Sequence, residues 1–206
     1  MHEWRKAEKA LYLPKGTPET VIVPRLNFFT VQGEGNPNDA FFAEYIGVLY
    51  ALSYGVKMSP KRGAAPTGYF EYAIYPLEGV WDLSEEGRAR YDGTLDKNAL
   101  VFTLMIRQPD FVDAAFAAET VAWVRKKKPH RLLDAVRFES IEEGKCVQML
   151  HAGSYDDEPP SFRAMEAYAA AQGLRRRSLT HREIYLTDAR KTESAKLRTV
   201  LRFPVE

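Results

Sequence analysis

Cysteine is almost missing from this chain. Cys146, in GKCVQML, stands alone, so no internal disulfide can form, and one thiol among apolar neighbours fits a reducing compartment. An excess of either charge is missing too. Lys and Arg number 29 against 28 Asp and Glu, for a formal net charge of +1 at pH 7. No global field therefore draws the protein to nucleic acid or to an anionic membrane. No apolar run approaches the roughly 18 residues that a membrane-spanning helix needs. The opening MHEWRKAEKALYLP has no apolar core of signal-peptide length, so a cytoplasmic protein is expected. Histidine is sparse, and His2, His130, His151 and His181 show no metal-ligand spacing; no metal and no cofactor are expected. The lack of a Gly-x-Ser-x-Gly elbow argues against a serine hydrolase. The basic run RKKKPHR sits at a helix end in a neutral chain, where it reads as a solvated terminus.

Aromatic side chains are abundant instead. Eleven Tyr, eleven Phe and three Trp in 206 residues either fill an aromatic core or line a cavity for a flat organic ligand. Hydrophobic periodicity orders the elements. RLNFFTVQG reads as a strand. DAFFAEYIGVLYALSYG reads as a helix, with Phe42, Ile46, Leu49 and Ser53 on one face and Gly55 as its stop. YFEYAIYPLEGVW and ALVFTLMIRQP are further strands. After the helix DAAFAAETVAWVRKKK, with Asp113 near its start and Pro129 closing it, the order recurs. GKCVQMLHAG is a strand, PPSFRAMEAYAAAQG a helix ended by Gly173, and HREIYLTD and KLRTVLRFPV are strands.

The recurrence has a register. GEGNPNDAFF overlays GSYDDEPPSF without a gap, bringing Gly33 onto Gly153 and Phe42 onto Phe162, and AIYPL overlays EIYLT. The expected fold is α+β, a duplicated β-α-β-β unit with a concave surface between the copies. About 20–110 would form the first repeat, 111–134 the connecting helix and 135–206 the second repeat, within one domain spanning 1–206.

The loop QGEGNPND tests a nucleotide reading and fails it. A phosphate cradle needs a lysine after its glycines; this loop has Glu34 and Asp39, and Asn38 stands where a dinucleotide fingerprint needs glycine. Its glycines suit positive φ in a tight turn, and Asn38 or Asp39 suits a helix cap, as do Asp156 or Asp157 in the second copy.

In HREIYL, strand alternation places His181, Glu183 and Tyr185 on one side and Arg182, Ile184 and Leu186 on the other. If Ile184 and Leu186 pack under the helix, Glu183 and Tyr185 face the open side of the sheet. A carboxylate in such a half-dry cleft would have a raised pKa and could act as a general base or hold a cation. Against this stands an ordinary exposed glutamate paired with Arg182 or a nearby lysine. The overlay sets Ala73 opposite Glu183, so one central carboxylate is expected, with Glu78 and Trp81 at the rim. Tyr155, Tyr75 and Phe111 are candidates for the same surface.

NFFTVQGEGNPND, LMIRQPDF, CVQMLHAGSYDDEP and HREIYL, in this order, resemble the GyrI-like small-molecule-binding family, in particular its stand-alone branch linked to cyclopropanoid cyclopropyl hydrolase activity. The resemblance spans nearly the whole chain. It implies a duplicated unit with pseudo-two-fold symmetry, antiparallel sheets with helices on one face, and a central ligand cleft. In the superfamily, effector domains of multidrug-responsive activators bind bulky aromatic or cationic compounds beside a buried glutamate, which falls at Glu183 here. No helix-turn-helix segment precedes the domain, which disfavours a DNA-binding regulator. For the hydrolase branch it implies attack of water on a strained cyclopropane conjugated to a carbonyl. Glu183 would orient or deprotonate the water, and Tyr155 or Tyr185 would assist. Tyr75, Trp81, Phe111 and Tyr185 would hold an aromatic or lipophilic ligand. The alternatives are a non-catalytic sequestering module for lipophilic or cationic drugs and a protein-interaction role. Neither a nucleic-acid nor a membrane partner is expected, and the protein would be a monomer or weak homodimer.

Overall fold

β-Branched and aromatic runs set six strands in the computed structural model, which describes residues 1–206. These are β1 (Glu19–Glu34), β2 (Leu77–Leu83), β3 (Leu100–Gln108), β4 (Arg137–Ala152), β5 (His181–Tyr185) and β6 (Arg198–Pro204). The helices are α1 (Trp4–Ala7), α2 (Lys9–Tyr12), α3 (Phe42–Lys57), α4 (Glu85–Ala89), α5 (Ala114–Lys127) and α6 (Pro159–Ala171). The result is a mixed α+β fold whose antiparallel strands are hydrogen-bonded in the closed order β1-β3-β2-β5-β6-β4. No helix is long and apolar enough to cross a membrane.

Apart from the short α4, strand, helix, strand, strand occurs twice, as β1-α3-β2-β3 and β4-α6-β5-β6, with α5 between. Each time the first strand pairs antiparallel with the last. The ladders correct the register read from sequence. Gly35 N–H meets the Leu100 carbonyl just past one ladder, and Gly153 N–H meets that of Leu197 just past the other. Both glycines have positive φ, 109° and 124°. Gly35, not Gly33, therefore holds the place of Gly153.

The chain divides into two compact units. One comprises Met1–His2, Leu26–Leu77 and Trp81–Ile141; the other comprises Glu3–Arg25, Glu78–Val80 and Glu142–Glu206. In the first, α3 buries Val48, Leu49, Leu52 and Val56. Gly55 is no helix stop. It lies inside α3, where an added Cβ would stand 3.0 Å from Thr120 and 3.1 Å from Val124 of α5, so its missing side chain lets the two helices approach. Gly33 also works by space rather than by φ. A Cβ there would fall 2.5 Å from the Phe102 ring, which packs among Phe42, Tyr45 and Trp81 at centroid distances of 5.2, 5.4 and 5.4 Å. The expected caps are absent. Phe41 occupies the α3 N-cap and Glu158 that of α6, neither with a side-chain cap bond; Asn36 takes the Asn38 N–H instead. The strand expected from YFEYAIYPLEGVW forms only in its last part, since Tyr72 makes an isolated bridge to His2.

In the second unit α6 presents Phe162, Met165 and Ala169 at helical spacing to Val147, Met149, Leu201 and Phe203. Gly173, φ 67°, ends the helix in the left-handed region as the sequence suggests, with Leu174 N–H returning to the Ala169 carbonyl. Residues directly opposite in an antiparallel ladder share a face. Glu183 is opposite Leu201 and Arg182 is opposite Arg202, so Glu183 lies on the α6 side and Arg182 with Ile184 on the other. This reverses the expected facing. The two buried arginines would repel one another, and each is supplied with acceptors. Arg182 pairs with Glu78 at 2.7 Å and with Glu143; Arg202 reaches Gln148 Oε1 at 2.9 Å and the Leu11 carbonyl. Burial alone would pull the Arg182 pKa down, but Glu143 and Glu78 outweigh it and raise it. Glu78, expected at a cleft rim, is thus a buried counter-ion, 2% exposed.

Two stability predictions follow from this packing. Arg182→Leu strands Glu78 and Glu143 without their cation and should cost about 3–5 kcal/mol in denaturant unfolding; a loss within error of zero would refute the pairing. Gly33→Ala should cost about 1–3 kcal/mol through overpacking, and Phe102→Leu added to it should recover part of that loss rather than add to it.

Candidate functional site

Strand alternation puts His181, Glu183 and Tyr185 on the α6 face of β5, and their long side chains lean together along the strand. Tyr185 O–H donates to Glu183 Oε2 at 2.8 Å, and His181 Nε2 lies 2.9 Å from Glu183 Oε1. A carboxylate oxygen accepts, so Nε2 carries the hydrogen. Glu183 is 8% exposed and pairs with these two rather than with Arg182, which is engaged on the opposite face.

The N-terminal end of α6 covers this group. Phe162 meets the His181 ring edge-on at 4.7 Å. One turn earlier, Glu158 brings a second buried carboxyl to Glu183. Burial, then the charges of Glu183 and Asp156 and a hydrogen bond with Glu183, push the Glu158 pKa up to about 10. Glu158 therefore holds a proton at neutral pH. Tyr155, in the turn before α6, meets the Tyr185 ring at 5.9 Å. Burial and the nearby charges of Glu183, Glu158 and Asp188 push its phenol up to about 12, which keeps it a hydrogen-bond donor.

His151 fixes the loop that carries these residues. It is buried at the end of β4. Its Nε2 donates to the Ser154 carbonyl at 2.9 Å, and its Nδ1 meets the Ser161 hydroxyl at 2.9 Å. Tyr155 and Glu158 lie between those two serines. Ser154 in turn accepts from Asp156 N–H at 3.1 Å, which gives the turn a different cap from the expected Asp156 or Asp157.

Of the residues singled out from sequence, Glu183, Tyr185 and Tyr155 come together here, joined by Glu158 and His181. Tyr75, Trp81 and Phe111 belong to the first unit, in two separate aromatic groups. Tyr75 is buried beside Tyr72 and under Arg107, whose guanidinium lies 4.4 Å from its ring centroid. Phe111 packs on Tyr69 and Phe70, both at 5.1 Å. Trp81 packs on Phe42 at 5.9 Å and on Phe102. Ala73 lies outside β2, so it is not the ladder counterpart of Glu183. Sequence reasoning missed Glu158 because its acidic run, DDEPP, reads as helix-capping chemistry. The proline pair was the usable signal, since Pro at the first helical positions marks Glu158 as the residue over the helix entrance.

The GyrI-like small molecule binding domain matches residues 17–206. The chain is similar over its full length to solved structures from Listeria innocua. One, described as a hydrolase, is 34% identical with TM-score 0.90 and full coverage of both chains. Another hydrolase is 36% identical, TM-score 0.90, covering 100% of this chain and 99% of that one. An uncharacterized conserved protein is 36% identical, TM-score 0.89, with full coverage of both. The EcmrR C-terminal domain, 15% identical with TM-score 0.51 over 92% of this chain and 97% of that one, shares the fold. No curated protein matches.

The carboxyl pair gives a pH prediction. Folded Glu158 keeps its proton to about pH 10, whereas the unfolded chain releases it near the ordinary 4.5. Its contribution to stability is thus complete below about pH 4.5 and is lost as pH rises towards 10. Glu158→Gln, which cannot ionise, should flatten that decline, by on the order of 1 kcal/mol per pH unit at most. Melting temperatures from about pH 5 to about pH 9 read this out; parallel curves for variant and wild type would refute it.

Proposed function

The chain belongs to the GyrI-like small molecule binding domain family, and we propose that it hydrolyses the strained cyclopropane of cyclopropanoid DNA-alkylating compounds at Glu183. The observation that carries this reading is a buried carboxylate oriented by Tyr185 and His181 beside a second, proton-bearing carboxyl, Glu158. The description of two full-length relatives as hydrolases supports it.

The chemistry asks little of the protein. Water bonds through its oxygen to the ring methylene carbon while Glu183 takes its proton. The strained carbon–carbon bond breaks, and its electron pair passes into the conjugated carbonyl as an enolate. Tyr155 O–H donates to that developing oxygen, and the proton held by Glu183 returns, so the sum is addition of one water. Ring strain supplies the drive; the site supplies one base, one donor and position. Tyr185 and His181 hold the carboxylate in one orientation, which an isolated strand glutamate would lack. The shared element order of the two halves also supports descent from a duplicated β-α-β-β unit.

Glu183→Gln should lower turnover of a cyclopropane-bearing alkylator about a hundredfold to ten-thousandfold, with ligand binding retained. Wild-type turnover in the variant would reject the assigned base. Mass analysis of the recovered ligand separates the second reading, a sequestering module: gain of one water marks hydrolysis, and unchanged mass with retention marks binding alone.

A further inference from the structure

Glu158, His181 and Glu183 come from a loop–helix junction and a strand, yet each offers a ligand atom, and these atoms all lie within 4.8 Å of one another. Glu158 and Glu183 are buried and His181 is partly buried. Two carboxyl groups placed together out of water need a shared proton or a cation between them, and no Lys or Arg pairs with either. Arg182, adjacent in sequence, is committed to Glu78 and Glu143. A second observation is independent of this grouping. Glu158 Oε1 is buried with no donor group bonded to it, on a residue only 7% exposed. A buried carboxyl oxygen that no donor meets is costly, and a cation that displaced the Glu158 proton would satisfy it together with the neighbouring Glu183 carboxylate and His181.

We propose that Glu158, His181 and Glu183 form a binding site for a divalent transition-metal cation of the zinc class. One imidazole nitrogen and two carboxylate oxygens match the donor preference of zinc, cobalt and manganese. Three protein ligands leave a coordination position for water or for a bound molecule's oxygen. Metal–ligand bonds of about 2.0–2.2 Å at tetrahedral angles set ligand atoms roughly 3.3–3.6 Å apart. The present spread brackets that figure, since His181 and Glu183 stand 2.9 Å apart and the full set stays within 4.8 Å. Closure on an ion releases the Glu158 proton to solvent, shifts the His181 hydrogen from Nε2 to Nδ1 and moves the side-chain tips together. Phe162, packed on the His181 ring, and Tyr185, bonded to Glu183, orient two of the ligands as outer-shell groups do. Calcium, which takes six to eight oxygens, finds too few here. The proposal shares Glu183 with the hydrolysis reading but does not rest on it: mass analysis of ligand turned over by metal-free wild-type and Glu183→Gln protein tests hydrolysis, and metal titration tests the site.

Isothermal titration of untagged, chelator-treated protein with zinc chloride should show one equivalent bound. Cobalt(II) should give visible absorption bands of a four- or five-coordinate ion, displaced by zinc, and calcium should not bind. Glu158→Gln and His181→Asn should each weaken zinc binding about tenfold or more. His130→Asn, at the partly exposed His130–Glu44 pair elsewhere in the chain, should leave it unchanged. Absence of zinc and cobalt binding by the wild-type protein overturns the proposal without recourse to any variant. So does zinc binding that survives both site substitutions, and so does calcium binding as tight as zinc.

Discussion

A guanidinium taken out of water fixes the strand on which the site is built. Arg182 lies between Glu78 and Glu143, and replacing that arrangement requires moving three charges at once. The next residue, Glu183, points the opposite way because side chains alternate along a strand. The position of the carboxylate is thus set by the burial of its neighbour. A one-residue slip of β5 would exchange the two, pushing a carboxylate among Glu78 and Glu143 and an arginine under α6.

Much of the fold was legible in the sequence because periodicity survives folding. The order of strands and helices, the Gly173 helix end and the grouping of His181, Glu183 and Tyr185 on one side of a strand all came from spacing. Which side that was did not. Alternation separates two faces without saying which one a helix will cover, and Ile184 is as apolar as any residue that packs beneath α6. The choice is made by the ladder, which sets Glu183 against Leu201, and no local pattern contains that pairing. Gly55 failed for a related reason: a glycine that ends a helix and one that admits a neighbouring helix look alike until α5 is in place.

Within the site, residues adjacent on one strand were legible and those supplied by another element were not. Glu183 and Tyr185 are two apart in sequence. Glu158 joins them only because α6 packs through Met165 and Ala169 onto the strands and sets its first turn over β5. The stretch that frames the site in sequence, HAGSYDDEPP, therefore also supplies it with a donor, Tyr155, and a carboxyl, Glu158.

One imidazole closes that stretch on itself. His151 bonds to Ser154 ahead of Tyr155 and to Ser161 beyond Glu158, so both functional groups are held in a loop tied at its two ends before any ligand arrives. Ordering a mobile side chain costs a binding partner about 0.5–1.5 kcal/mol. Here folding has already ordered the loop that carries both groups, and a visiting molecule meets a segment whose backbone entropy was surrendered when His151 was buried near the end of β4.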